Sequence, residues 1–147
     1  SKNRIVRSWQ VVNQTADRYT QLNRTSFSQV AADNPAFLWS PGYATVSGGL
    51  PLDAVPMFRI RGENVGFARC DINVTTPGKI GFRLNSAAGL EVRIDGIPMP
   101  SAAEFTPTLD AGLHKVNITI APAKRTAPLQ LELVDVPGGG NAELVNR

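Results

Sequence analysis

Five stretches of this chain alternate apolar and polar residues with a period of two, and that pattern limits the fold more than any other feature. Toward the end of 65–74 the residues Ala68, Cys70, Ile72 and Val74 fall on one side, and Arg69, Asp71 and Asn73 on the other. The same alternation runs through 79–85 (Ile80, Phe82, Leu84), 90–95 (Leu90, Val92, Ile94), 113–121 (Val116, Ile118, Ile120) and 129–134 (Leu129, Leu131, Leu133). Side chains of a strand point alternately to its two faces, so each stretch reads as a strand with one face on a core and one in water. Thr76-Pro77-Gly78, Ala88-Gly89 and Asp95-Gly96 separate them with turn chemistry, at the spacing of an antiparallel sandwich or barrel. The fold class expected is therefore all-β, an antiparallel, jelly-roll-like β-sandwich.

With 147 residues the chain is long enough for one core without metal or disulfide support. One domain is expected over 1–137, with an irregular part at 1–55 and regular strands at 56–137. The Gly138-Gly139-Gly140 run marks 138–147 as a flexible tail or linker. Within the irregular part, 5–12 reads as an edge or pairing strand anchored by Trp9. A short helix is placed near 27–32, and Pro35 and Pro41-Gly42 bracket a loop carrying Trp39.

Charged residues are 18% of the chain and hydrophobic residues 42%, which argues against disorder, a coiled coil and membrane insertion. The net charge is +3, but the basic residues are scattered and are not interleaved with aromatics, so nucleic acid is not an expected partner. Lys124 and Arg125 read as solvated turn residues. The single cysteine, Cys70, rules out an internal disulfide and reads as a buried, inert thiol.

No residue pattern points to catalysis. There is no Gly-x-Ser-x-Gly turn, no phosphate-binding glycine loop and only one histidine. His114 shares the parity of Val116 and Ile118 and reads as a hydrogen-bonded structural residue. Neither a metal nor a cofactor is expected. Trp39 and Tyr43, placed across Pro41-Gly42, form a candidate exposed platform for the apolar face of a sugar ring. Asn85, Arg93 and Asp95, near strand ends, are the candidate hydrogen-bonding residues. The outward row Arg69, Asp71 and Asn73 is either a solvated face or a surface suited to sugar hydroxyls.

The run Gly78-Lys79-Ile80-Gly81-Phe82-Arg83-Leu84, the turn Ser86-Ala87-Ala88-Gly89, the strand Leu90 to Asp95-Gly96, and Leu109-Asp110-Ala111-Gly112-Leu113-His114 resemble the anthrax protective-antigen-type domain. This resemblance covers about 60 residues, ending by Val136, and has no counterpart in the first fifty-five. It implies a β-sandwich module carried by secreted enzymes, adhesins and toxins, often with glycan affinity. Leu50-Pro51-Leu52 and the cassette from Gly89 to His114 also resemble tail modules of large planctomycete-type exported proteins with dehydrogenase-like and haem domains. Sugar-binding members of the first family place acidic residues before the turn glycine. Here Ser86-Ala87-Ala88 offers no carboxylate, which puts a calcium-dependent site in doubt.

Two functions follow as expectations. One is a non-catalytic, extracytoplasmic accessory module of a larger bacterial protein that binds polysaccharide. The other is an assembly domain that packs on neighbouring domains of its parent and takes no small ligand.

Overall fold

The computed structural model describes residues 4–14 and 37–145. The expected helix near 27–32 lies outside them. In chain order the described strands begin with β1 (Ser8–Gln14), β2 (Leu38–Tyr43), β3 (Phe58–Ile60) and β4 (Glu63–Thr76). Next come β5 (Gly78–Lys79), β6 (Gly81–Leu84), β7 (Leu90–Ile94) and β8 (Ile97–Pro98). The last are β9 (Glu104–Phe105), β10 (Thr108–Leu109), β11 (Gly112–Ile120), β12 (Leu131–Val134) and β13 (Asn141–Val145). The fold is an all-β sandwich, as the alternation requires.

The large sheet has the order β2-β1-β4-β11-β7-β8, and β13 and β3 also pair with β4. The opposing layer is β12-β6-β9, with the short pair β10-β5. All the described pairings are antiparallel. Between the layers lie the apolar sides of the expected strands: Cys70 and Ile72, Val92 and Ile94, Val116 and Ile118 from one, Phe82, Leu131 and Leu133 from the other. Phe82 stacks on Phe105 with ring centroids 5.3 Å apart. Full burial of such a side chain contributes roughly 1.5–3 kcal/mol, so this one interior supplies most of the driving force.

A second, smaller cluster lies on the other face of the large sheet. Val12, Ile60, Val65 and Phe67 are buried there with Phe37, and Trp39 and Phe58 pack against them. The start of β4 is consequently covered on both sides, which is why Val65 to Ala68 are all buried and the alternation emerges only afterward.

The 138–147 segment is not a free tail where it is described. Residues 141–145 form β13 against β4, with Ala142 buried and Leu144 packed on the core. The glycines before it make a tight corner: Gly139 N–H donates to Val136 O and Gly140 N–H to Lys79 O. A Cβ on Gly139 or Gly140 would strike the carbonyl oxygen of Lys79 or Thr76. Close backbone approach, not flexibility, accounts for glycine at these two positions. Arg4 reinforces the corner, donating to Asp135 Oδ1 at 2.6 Å and to Ala142 O at 2.8 Å.

Candidate functional site: the outer face of the large sheet

Strand register places the polar halves of the alternating strands side by side. Gln10 pairs with Arg69, Arg69 with Asn117, and Asn117 with Arg93, giving one row across β1, β4, β11 and β7. Pro41 of β2 continues the row beyond Gln10. At ~4.8 Å between strands these five positions span about 19 Å. Asp71 and Lys115 are opposite one another in the next row, and Asn73 in the one after. Gln10, Arg69, Asp71, Asn73, Arg93, Lys115 and Asn117 are all half-buried.

Trp39 and Tyr43 flank this surface, but not as the expected loop platform. Both lie on β2, paired with Val12 and Ser8 respectively. Pro41 and Gly42 extend that strand instead of turning it, because β2 is the sheet edge, where proline is tolerated. Gly42 also lets the strand sit close on Val11. Trp39 packs against the outer apolar cluster with the Arg69 guanidinium 3.9 Å above its ring centroid, and Arg69 Nε donates to Gln10 Oε1 at 2.8 Å. The ring is thus part of a fixed Trp39–Arg69–Gln10 stack. Tyr43, four residues along and on the same face, is 65% exposed.

Of the five candidate residues, Trp39, Tyr43 and Arg93 share this face, and the other two sit in turns at opposite ends of β7. Asp95, at φ 52° before Gly96, accepts from Lys115 N–H at 2.9 Å through Oδ1 and meets His114 Nδ1 at 2.5 Å through Oδ2. His114 Nε2 is 2.7 Å from Asp110 O. Both ring nitrogens therefore face acceptors, an arrangement that suits the imidazolium. Burial alone lowers the pKa of this histidine, but its hydrogen bonds to Asp110 O and Asp95, with both aspartate charges, leave it raised above the ordinary value.

Asn85 is engaged just as fully. Its Nδ2 donates to Pro128 O at 2.9 Å, and its Oδ1 accepts from Arg125 Nη2 at 2.7 Å and from Gln130 N–H. Arg125 is the residue the sequence reading misplaced: it is 4% exposed, not solvated. Its Nε, Nη1 and Nη2 donate to the carbonyls of Ala127, Ser86, Ala88 and Pro128 besides Asn85. These acceptors are all neutral, and burial pushes the guanidinium pKa down. Arginine alone has five donors in a rigid fork, so it satisfies the Ser86–Ala88 turn from inside.

Cys70 is buried, and desolvation raises its thiol far above the usual range, so it stays protonated. Among the described residues no group of three His, Cys, Asp or Glu side chains could share a metal ion, and no helix is long and apolar enough to cross a membrane.

No protein-family model matches the sequence, and no curated protein matches it either. Among solved structures, a GH31 α-xylosidase from Xanthomonas citri is similar at 17% identity and a TM-score of 0.41, over 76% of this chain and 15% of that one. A family two carbohydrate esterase from Clostridium thermocellum, an active-site mutant, aligns at 14% identity and a TM-score of 0.28, over 57% of this chain and 28% of that one. The PA14 domain of the antifreeze protein MpAFP aligns at 11% identity and a TM-score of 0.40, over 99% of this chain and 90% of that domain. The chain thus spans well under two thirds of the first two proteins. The structures it is similar to include a PA14 domain.

Proposed function

We propose that this sandwich is a non-catalytic accessory module of a larger exported bacterial protein, and that it binds polysaccharide along the outer face of its large sheet. The carrying observation is the half-buried row Gln10–Arg69–Asn117–Arg93 on the outer face of the large sheet, flanked by Trp39 and Tyr43. Sugar hydroxyls both donate and accept, and amide and guanidinium groups on a flat sheet meet several of them at once. At the flank the exposed Tyr43 ring suits the apolar C–H face of a pyranose, and Trp39 holds Arg69 in place beside it. Half-burial and the Trp39–Arg69–Gln10 stack fix these groups before a ligand arrives, which lowers the ordering cost of binding.

A glycan-array screen of the purified domain, with calcium and with chelator, tests the proposal. Binding that persists in chelator and falls in Asn117→Ala and Trp39→Ala supports it; a blank array from a folded domain contradicts it. A second reading, assembly on neighbouring domains of the parent, is favoured by Leu38, Tyr43 and Val46. These are 56%, 65% and 96% exposed on and just after the edge strand β2. A blank array combined with association between this domain and its parent's other domains, lost in Leu38→Ser/Val46→Ser, supports that reading instead.

A further inference from the structure

Beside the end of the polar row, the edge of β7 is only partly covered. Strand β8 pairs with Arg93 and Ile94, Met99 N–H donates to Val92 O at 2.8 Å, and the chain then turns away through Pro100 to Ala102. A groove of about 230 Å³ remains along this edge, lined by Leu84, Glu91, Arg93, Pro98, Met99 and Pro100 among others. That is below the ~300–1,000 Å³ of a complete small-molecule site and on the scale of one ring of a longer chain.

Arg93 is unusual in it. Its Nε is closed off from solvent without an acceptor, and no described residue accepts from its guanidinium. The other buried or half-buried arginines described, Arg4, Arg7, Arg69 and Arg125, all have acceptors. A partly desolvated guanidinium without an acceptor is unfavourable, and an incoming anion relieves it. Its planar fork fits a carboxylate in bidentate fashion. Pro98, Met99 and Pro100 form an apolar wall suited to the C–H face of a ring. Glu91, two positions along β7 and already engaged with another residue, disfavours a second anion, and hence a densely sulfated ligand.

We infer that this groove takes the carboxylate of a uronic-acid residue, so that the polysaccharide bound is an acidic one. The inference rests on the glycan-binding reading above, since Arg93 ends the row on which that chain would lie.

The test is titration of the folded domain with trimers of galacturonate, glucuronate and mannuronate, with their methyl esters, and with triglutamate. The Arg93 Nε–Hε resonance is followed together with the affinity. The expected result is that a uronate trimer binds and shifts that resonance. Methyl esterification and Arg93→Met should each weaken binding by about tenfold or more, with Arg93→Lys recovering part of it. If Arg93→Met fails to fold, the ester comparison decides alone. Equal binding of acid and ester overturns the acidic specificity but leaves the polysaccharide reading intact. Triglutamate binding as tightly as the uronates overturns the sugar assignment, and failure of every glycan on the array overturns both.

Discussion

The turns around β7 and the outer face of the large sheet both carry polar side chains, but they use them in opposite ways. In the turns every strong group is engaged within the chain: Asn85 and Arg125 at one end, Asp95 and His114 at the other. On the outer face Asn117 and Arg93 stand side by side in a half-buried row, and Arg93 has no acceptor among the described residues. Polar residues at turns therefore report on how this sandwich closes, and those on the flat face form the row proposed to bind. A pair of arginines states the contrast most directly, since one donates to five neutral acceptors and the other to none among the described residues.

Replacing Arg125 with Met breaks the contrast hardest. The change leaves the carbonyls of Ser86, Ala88 and Pro128 without their charged donor and is expected to cost about 3 kcal/mol or more in urea unfolding. Next in size is Gly140→Ala, expected to cost about 1–3 kcal/mol because its Cβ meets the Thr76 carbonyl oxygen. In a flexible linker the same change would leave the urea midpoint where it was.

The His114 latch gives a smaller, pH-dependent effect. Its folded pKa lies above the unfolded one, so its stabilisation is complete below the ordinary histidine value and is lost as pH rises through the folded value. The difference in urea midpoint between wild type and His114→Gln should therefore narrow from about pH 5.5 toward alkaline pH. A difference that widens with pH contradicts the imidazolium assignment. The smallest destabilisation is expected for Arg93→Met, which should be no less stable than wild type, because it removes no described hydrogen bond and relieves a closed-off Nε. Equal destabilisation by the two arginine changes would erase the distinction between turn and face.

Much of the sandwich was legible because alternation is a local signal. Strands β4, β6, β7, β11 and β12 fall on the five alternating stretches, although β4 begins earlier and Ile80 interrupts the run that became β5 and β6. Two strands were hidden for the same reason: Pro41-Gly42 and the Gly138–Gly140 run are turn signals locally. Only the edge position of β2 and the close approach at the β13 corner make them part of a sheet. The turn chemistry of Asp95-Gly96 was also legible, but the partners of Asp95 were not. Asn85, read as a ligand-binding residue, is instead engaged within the chain. Arg125 lies 40 residues from Asn85, and no local pattern links them. The outward row Arg69, Asp71 and Asn73 could be read from β4 alone. Its extension to Gln10, Asn117 and Arg93 depends on cross-strand register, which the sequence does not print.

Chemical-shift mapping with whichever glycan scores on the array tests the central claim most directly. The account predicts that the resonances of Gln10, Arg69, Asn117 and Arg93 move on saturation while those of Asn85, Asp95 and His114 stay in place. Shifts concentrated at the turns, with the row unmoved, would contradict it.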